Sequence, residues 1–278
     1  MVVQDGEILD LGKKRLQFFH TPFVHWPETM MTFETSEKVL FSCDAFGGYG
    51  ALRGAIFDED CKDRAFYEKE SLRYYVNIVA NFSTAVLKAI HKLSDLDINI
   101  IAPSHGLIWK HNPQRIVELY KQWADYARGM PEPEITLIYG SMYGNTESMM
   151  NAVSQGLSST GIPFEIFDVA RTHSSYILPS LWKRKAVLIG TPTYEGKLFP
   201  PMAQLLNMAV LKHIRNRDFA MFGSYGWSRG ALKNAQNILE PMKWELKDSF
   251  EFCGGTDQEK LRTGEVFGKN FALSVLKN

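Results

Sequence analysis

Cysteine is scarce in this chain of 278 residues: three are present, Cys43, Cys61 and Cys253, odd in number and far apart. No CxxC pair occurs. That excludes a four-cysteine iron or zinc module of the rubredoxin or zinc-ribbon kind, and it argues for a reducing cytoplasm over a disulfide-stapled secreted fold. Net charge is absent too, 31 basic residues balancing 31 acidic ones. A nucleic-acid binder normally carries a basic excess, so that class of partner is not expected. No apolar run approaches the length of a membrane span, and the start "MVVQDGEILD" lacks the basic head and apolar centre of a signal peptide. Neither membrane insertion nor export is expected. Internal repeats and low-complexity segments are likewise missing.

What is present, 45% hydrophobic and 22% charged residues, suffices for one large or two ordinary cores. The clearest seam is "ARGMPEPEI" (127–135), where Pro131 and Pro133 cannot continue the helical stretch "PQRIVELYKQWADYAR" and favour an extended linker. Beyond it, short apolar runs at 135–139, 164–169, 186–190, 219–223 and 249–253 read as strands buried on both faces. Helical patterns lie between them: one carrying Met149, Met150, Val153 and Leu157 and ending near Gly161, then 201–213, 228–243 and 257–276. The alternation predicts a doubly wound five-stranded parallel sheet, whose ligands bind at the carboxyl ends of the strands. Before the seam a mixed α/β segment is expected. Its strands are "RLQFFHT", "MMTFETS", "KVLFSCD" and "INIIAPSHG", with a helical hairpin over about 64–94.

The first strand after the seam, "ITLIY", breaks into "GSMYGNTE" before helical spacing resumes. A helix start offers unpaired N–H groups and a positive dipole end. Ser141, Met142, Tyr143, Gly144, Asn145 and Thr146 therefore form a candidate phosphate cradle, with hydroxyls from Ser141 and Thr146 and an amide from Asn145. Gly144 permits backbone angles that a side chain forbids. The lysine of GxxxxGK[ST] is missing, which excludes a P-loop, and the turn has no GxGxxG. An ordinary capped helix N-terminus would show the same turn. Two later strand ends weigh against that plain reading: Thr191-Pro192-Thr193-Tyr194 and Ser224-Tyr225-Gly226-Trp227 with Gly230. Singly their aromatics read as core packing. Converging on one sheet edge, Tyr194, Tyr225 and Trp227 suit a flat ring, and with a phosphate cradle free of basic residues they point to a flavin mononucleotide.

Residues 135–276 thus resemble a flavodoxin domain, and "SMYGNTE", "GTPTY" and "GSYGWS" resemble the flavin loops of the flavodiiron family. The resemblance implies FMN, its phosphate at 141–146 and its ring between the second and third loops. The family usually carries glycine where Arg229 stands.

In the front segment, "TPFVHWPETM", "LFSCDAFGG" and "APSHGLIW" each place one metal-ligand type at a strand end or turn: His25, Asp44 and His105. Imidazole and carboxylate without thiolate suit iron, manganese or zinc. Spacings of 19 and 61 residues are no local motif, and composition alone reads these as unrelated polar turn residues. His20, His91, His111, His173 and His213 read as surface or hydrogen-bonded histidines. The stretches resemble the second half of the metallo-β-lactamase-like αββα domain that precedes flavodoxin in flavodiiron proteins. That resemblance implies two irons, one served by His25, the other by His105, with Asp44 bridging them. The family's remaining ligands lie in an HxExDH motif, and no such motif exists here. The expected division is a partial metallo-β-lactamase-like domain at 1–130 and a flavodoxin-like domain at 134–278. Half a sandwich leaves an apolar face needing cover, for which Phe18, Phe19, Phe23, Phe33, Leu40 and Phe41 are candidates. The cover would be a separately encoded N-terminal fragment, a second copy of the chain, or a rearranged packing.

The function implied is a flavodiiron oxidoreductase. Electrons pass from a donor protein or reductase through FMN to the iron pair, where O2 is reduced to water or NO to N2O. A cytoplasmic homodimer is expected, the flavin of one subunit facing the irons of another. Two alternatives stand beside it: a flavodoxin-like electron carrier with a metal-deficient front segment, and a binding module that takes no flavin.

Overall fold

The computed structural model describes residues 2–52, 54 and 56–277, so Met1 and Asn278, the outer limits of the expected domains, lie outside it. The chain separates into two compact units, Met1–Arg128 and Gly129–Asn278.

The first unit contains strands β1 (Ile8–Asp10), β2 (Arg15–His20), β3 (Met30–Glu34), β4 (Val39–Phe41) and β5 (Ile100–Ala102). They form one sheet in sequence order. Pairing is antiparallel from β1 to β4 and parallel between β4 and β5. Consequently β2, β4 and β5 run the same way, and their carboxyl ends leave the sheet on one edge. β1 was not anticipated; three residues are too short to show a period-2 pattern. Between β4 and β5 come α1 (Arg64–Tyr74), a π-helical turn (Tyr75–Val79), a 3-10 turn (Ala80–Phe82) and α2 (Ser83–Lys92), the expected helical hairpin. Asp63 starts α1 by accepting from the Phe66 N–H at 3.0 Å. α3 (Pro113–Ala127) begins with proline at its first position and an Asn112 cap.

Register places Phe19 opposite Met31, and Phe33 opposite Leu40, which in turn faces Ile101; all five are buried. The expected apolar candidates fall on two faces of this sheet: Phe19, Phe33 and Leu40 share one with Met31 and Ile101, while Phe18 and Phe41 lie on the other with Thr32. Phe18, Phe19, Phe33 and Leu40 are buried, and only Phe23 and Phe41 of the six remain exposed, at 47% and 49%. The face that carries Leu40 is covered by helices: Leu40, Phe46 and Ile101 line one pocket with Ile90, Leu93 and Val117. Tyr75, Tyr120 and Trp123 pack ring against ring beneath them.

The second unit runs β6 (Glu132–Tyr139), α4 (Asn145–Ser158), β7 (Phe164–Asp168), α5 (Ser174–Lys183) and β8 (Arg184–Gly190). It continues through a hairpin of β9 (Thr193–Tyr194) and β10 (Lys197–Leu198), then α6 (Pro200–Leu211), β11 (Asp218–Tyr225), α7 (Ala231–Leu239), β12 (Glu245–Cys253) and α8 (Gln258–Leu276). The sheet order is β12-β11-β8-β6-β7, parallel throughout. This is the doubly wound five-stranded parallel sheet expected, and its order sets the switch point between β6 and β8. Ile135, Leu137, Leu188 and Phe222 pack one sheet face against Met149, Val153 and Leu157 of α4 and Phe267 and Phe271 of α8.

Three local expectations need correction. β6 begins at Glu132 and takes in Pro133, so the end of the seam is strand; lacking an N–H, Pro133 falls where the register shifts. α5 was not anticipated because Pro179 lies inside it. The helix expected over 228–243 is shorter, α7 followed by a 3-10 turn at Glu240–Met242, which leaves Trp227 and Arg229 in a loop.

Candidate functional site

β6, β8 and β11 are parallel neighbours, so the loops after Tyr139, Gly190 and Tyr225 leave one edge together. Gly144 precedes α4 with φ of 86°, a left-handed conformation that a side chain would resist. No side chain caps α4. Ser141 Oγ instead accepts from the Gly144 N–H at 3.1 Å, tightening the turn and leaving the first helical N–H groups to a ligand. A donor set of main-chain amides and hydroxyls, without a basic side chain, fits a phosphate monoester.

Contacts draw the loops together. Thr146, nearly fully buried, shares a hydrogen bond of 3.1 Å with Ser224, which joins the first loop to the third. A Cβ on Gly223 would stand 2.0 Å from the Thr191 carbonyl oxygen, and one on Gly230 would stand 2.1 Å from that of Gly196. At Gly230 the third loop therefore rests on the second, and at Gly223 the strand before it rests on the second loop's base, backbone against backbone, where only glycine fits. The second loop folds as a hairpin whose two-residue turn, Glu195-Gly196, has positive φ at both positions. Thr191 and Pro192 are buried at its base, and Thr193 is partly covered. Around this rim Met142, Tyr143, Gly226 and Trp227 are exposed, Trp227 at 93%. Tyr194 is exposed as well, and Tyr225 is half-buried. None of the three exposed rings is folded into the core, so all remain available to a planar ligand. The hairpin escaped the sequence reading, although its Glu-Gly pair is a turn signal.

The edge shared by β2, β4 and β5 gathers the other candidates. His25 lies in the β2–β3 loop, Asp44 after β4 and His105 after β5. The Asp44 carboxylate faces both rings, Oδ2 at 3.3 Å from His25 Nε2 and Oδ1 at 4.0 Å from His105 Nε2. His105 donates from Nδ1 to the Gly48 carbonyl at 3.1 Å, which turns Nε2 toward Asp44. Gly47 is needed here: a Cβ would stand 2.7 Å from the His105 carbonyl oxygen and press on its ring.

The direction of these three side chains suits a bridging carboxylate, but their number does not suit two metals. Each carboxylate oxygen meets one imidazole, and among the described residues no group of three or more His, Cys, Asp or Glu is arranged to hold an ion. A metal pair at this edge needs donors beyond these three.

Tyr74 escaped the sequence reading. It packs edge-on against His105, centroids 4.7 Å apart, and its buried hydroxyl has no hydrogen-bond partner among the described residues. Burial, with the negative charge of Asp44 behind it, pushes the phenol up, so it remains a proton-bearing donor. A tyrosine inside a helical run carries no signal of such a position. Of the remaining histidines, His173 caps α5 by accepting from the Ser175 N–H.

Two family models match the chain, "ODP family beta lactamase" over residues 1–106 and "Flavodoxin" over 137–264. An anaerobic nitric oxide reductase flavorubredoxin of Escherichia coli K12 is 37% identical over 277 residues, covering 98% of this chain and 57% of the relative. The chain thus spans a little over half the length of the curated relatives it matches. Among solved structures, a rubredoxin oxygen:oxidoreductase from Desulfovibrio gigas superposes with a TM-score of 0.89 at 26% identity, covering 100% of this chain and 69% of that one. A flavo di-iron protein variant from Thermotoga maritima gives 0.82 at 31% identity, covering 100% and 67%.

Proposed function

The chain belongs to the flavodiiron family, and we propose that it is an FMN-binding oxidoreductase module of the nitric oxide and oxygen reductase kind. The observation that carries this reading is the joined rim of three strand-end loops over an uncapped helix start. In it the main-chain N–H groups at the start of α4, with Ser141, Asn145 and Thr146, hold the phosphate. Met142 and Tyr143 flank it. Thr191 to Tyr194 and Ser224 to Trp227, with Gly230, close on the ring. FMN, when bound, accepts electrons in pairs and releases them singly. The loops would orient the ring, Thr191 and Pro192, buried at the base of the second loop, would keep water from it, and the exposed rim would be left to a redox donor protein or reductase.

Reduction of O2 to water and of NO to N2O is proposed for the assembly in which further donors complete the edge at His25, Asp44 and His105. A dimer that brings one subunit's flavin to another's metal edge belongs to the same proposal, as do domain limits at 1–130 and 134–278. The chemistry of the chain's own residues stops at the flavin loops, because three side chains do not make a two-metal site. That shortfall favours a second reading, an FMN electron carrier.

The experiment titrates the full chain with FMN and then, anaerobically, with ferrous ion, and follows NO and O2 consumption after reduction. One FMN with bound iron and gas consumption supports the reductase. One FMN without iron or consumption supports the carrier. A chain that takes up no FMN defeats both.

A further inference from the structure

Arg229 is the one cation between Ser224 and Gly230, and its place is defined. The guanidinium carbon lies 5.1 Å from the centre of the Tyr225 ring, and Nη2 donates to the Tyr225 hydroxyl at 3.4 Å. A planar guanidinium on an aromatic face is held by the ring quadrupole, so an otherwise exposed side chain is localised at the flavin rim. The acid that feels it is Glu251, paired in register with Gly223 on the neighbouring strand. No ion pair between them forms, and burial pushes the Glu251 carboxyl up despite the cation. Apart from Lys197 on the β9–β10 hairpin, no other basic residue lies in the three loops.

Resting on the flavin reading above, we propose that Arg229, anchored on Tyr225, sets the charge of the site so that it favours reduced over oxidised FMN. Oxidised isoalloxazine is neutral. Taking up two electrons and one proton leaves it with one negative charge. A fixed cation at the rim stabilises that charge and does nothing comparable for the neutral ring. A single charge at a partly screened protein site changes such a ratio of affinities by about fivefold. By linkage, the potential of bound FMN then rises with respect to a site lacking the cation. Arg229 is a positioning residue for charge; the ring contacts belong to Tyr225 and its neighbours.

The test measures dissociation constants of the full chain for oxidised FMN and for dithionite-reduced FMN, anaerobically, with the midpoint potential of the bound flavin. Arg229→Gln is expected to lower the preference for the reduced form about fivefold, which corresponds to about 20 mV on the two-electron couple. Arg229→Lys, which keeps the charge but not the planar seat on Tyr225, is expected to fall between wild type and glutamine, and 0.5 M salt should bring wild type toward the glutamine variant. A glutamine variant within twofold of wild type overturns the inference while leaving the flavin reading intact. So does a lysine variant that falls as far as glutamine at 0.5 M salt and at low salt alike, since charge would then have no part in the effect. No FMN uptake by wild type overturns the flavin reading itself. Arg229 is exposed, so both variants should fold, which far-UV circular dichroism checks.

Discussion

Arg217 is 2% exposed, and it donates to the main-chain carbonyls of Leu181 at 3.1 Å, Trp182 at 2.6 Å and Arg215. Two of these carbonyls lie in the last turn of α5, where intrahelical partners run out and the dipole is negative. α5 needs the help, for Pro179 removes one of its internal hydrogen bonds. Hydrogen bonds from a charged donor contribute about 1.5–3 kcal/mol each, about 6 kcal/mol for three. Burial works against them, pulling the guanidinium down to about 10 from 12.5, a cost of about 3 kcal/mol. The net is about 3 kcal/mol in favour of arginine. Arg217→Met should therefore destabilise the second unit by about that amount and lower its melting temperature by about 10 °C. Arg217→Lys, with a point-like ammonium and fewer aligned donors, should fall between. Urea titration of the flavin-free protein by circular dichroism gives the free energy, and hydrogen exchange at α5 amides locates the loss. If methionine changes stability by less than about 0.5 kcal/mol, desolvation cancels the hydrogen bonds and the capping argument fails.

Three further outcomes are expected. Gly144→Ala forces an L side chain into φ of 86° and should cost about 1 kcal/mol in stability. It should also weaken FMN binding about tenfold, while riboflavin, lacking the phosphate, binds as before; equal losses for both ligands would count against the cradle. Gly268→Ala on α8 sets a Cβ 2.2 Å from the Val153 carbonyl oxygen of α4. Since backbone cannot rotate away, a loss of about 3 kcal/mol in urea unfolding is expected. Glu34 accepts from the N–H groups of Glu37 and Ser36 at 2.8 and 2.9 Å, which hold its carboxyl down to about 2 against the desolvation that opposes them. A carboxyl lowered on folding stabilises above its ordinary value and loses that contribution as pH falls from 4.5 toward about 2. Glu34→Gln should flatten the acid unfolding curve of the first unit in that window, and an unchanged curve would remove Glu34 from the account.

The three strand-end loops proposed to hold flavin were legible as loops because their pattern is local. A strand, a small-residue turn and a helix start are adjacent in the chain, and hydrophobic periodicity marks all three. The parallel order then followed, since crossover helices leave few other solutions. What stayed hidden was short or masked: β1 with three residues, the β9–β10 hairpin with two per strand, and α5 behind Pro179. Arg229 could be noted as an oddity at its position, but its seat on Tyr225 is a matter of loop path.

At the other edge the division is sharper. The sequence alone determined that His25, Asp44 and His105 each follow or interrupt a strand, and nothing about a string of residues 19 and 61 apart says they meet. Their meeting was decided by tertiary structure, because β2, β4 and β5 share one direction and deliver their loops to the same edge. The covering of one face of the first unit's sheet was decided there as well. Burial of Phe19, Phe33 and Leu40 depends on which helices pack over them, and packing of that kind is a property of surfaces brought together, not of neighbours in the chain.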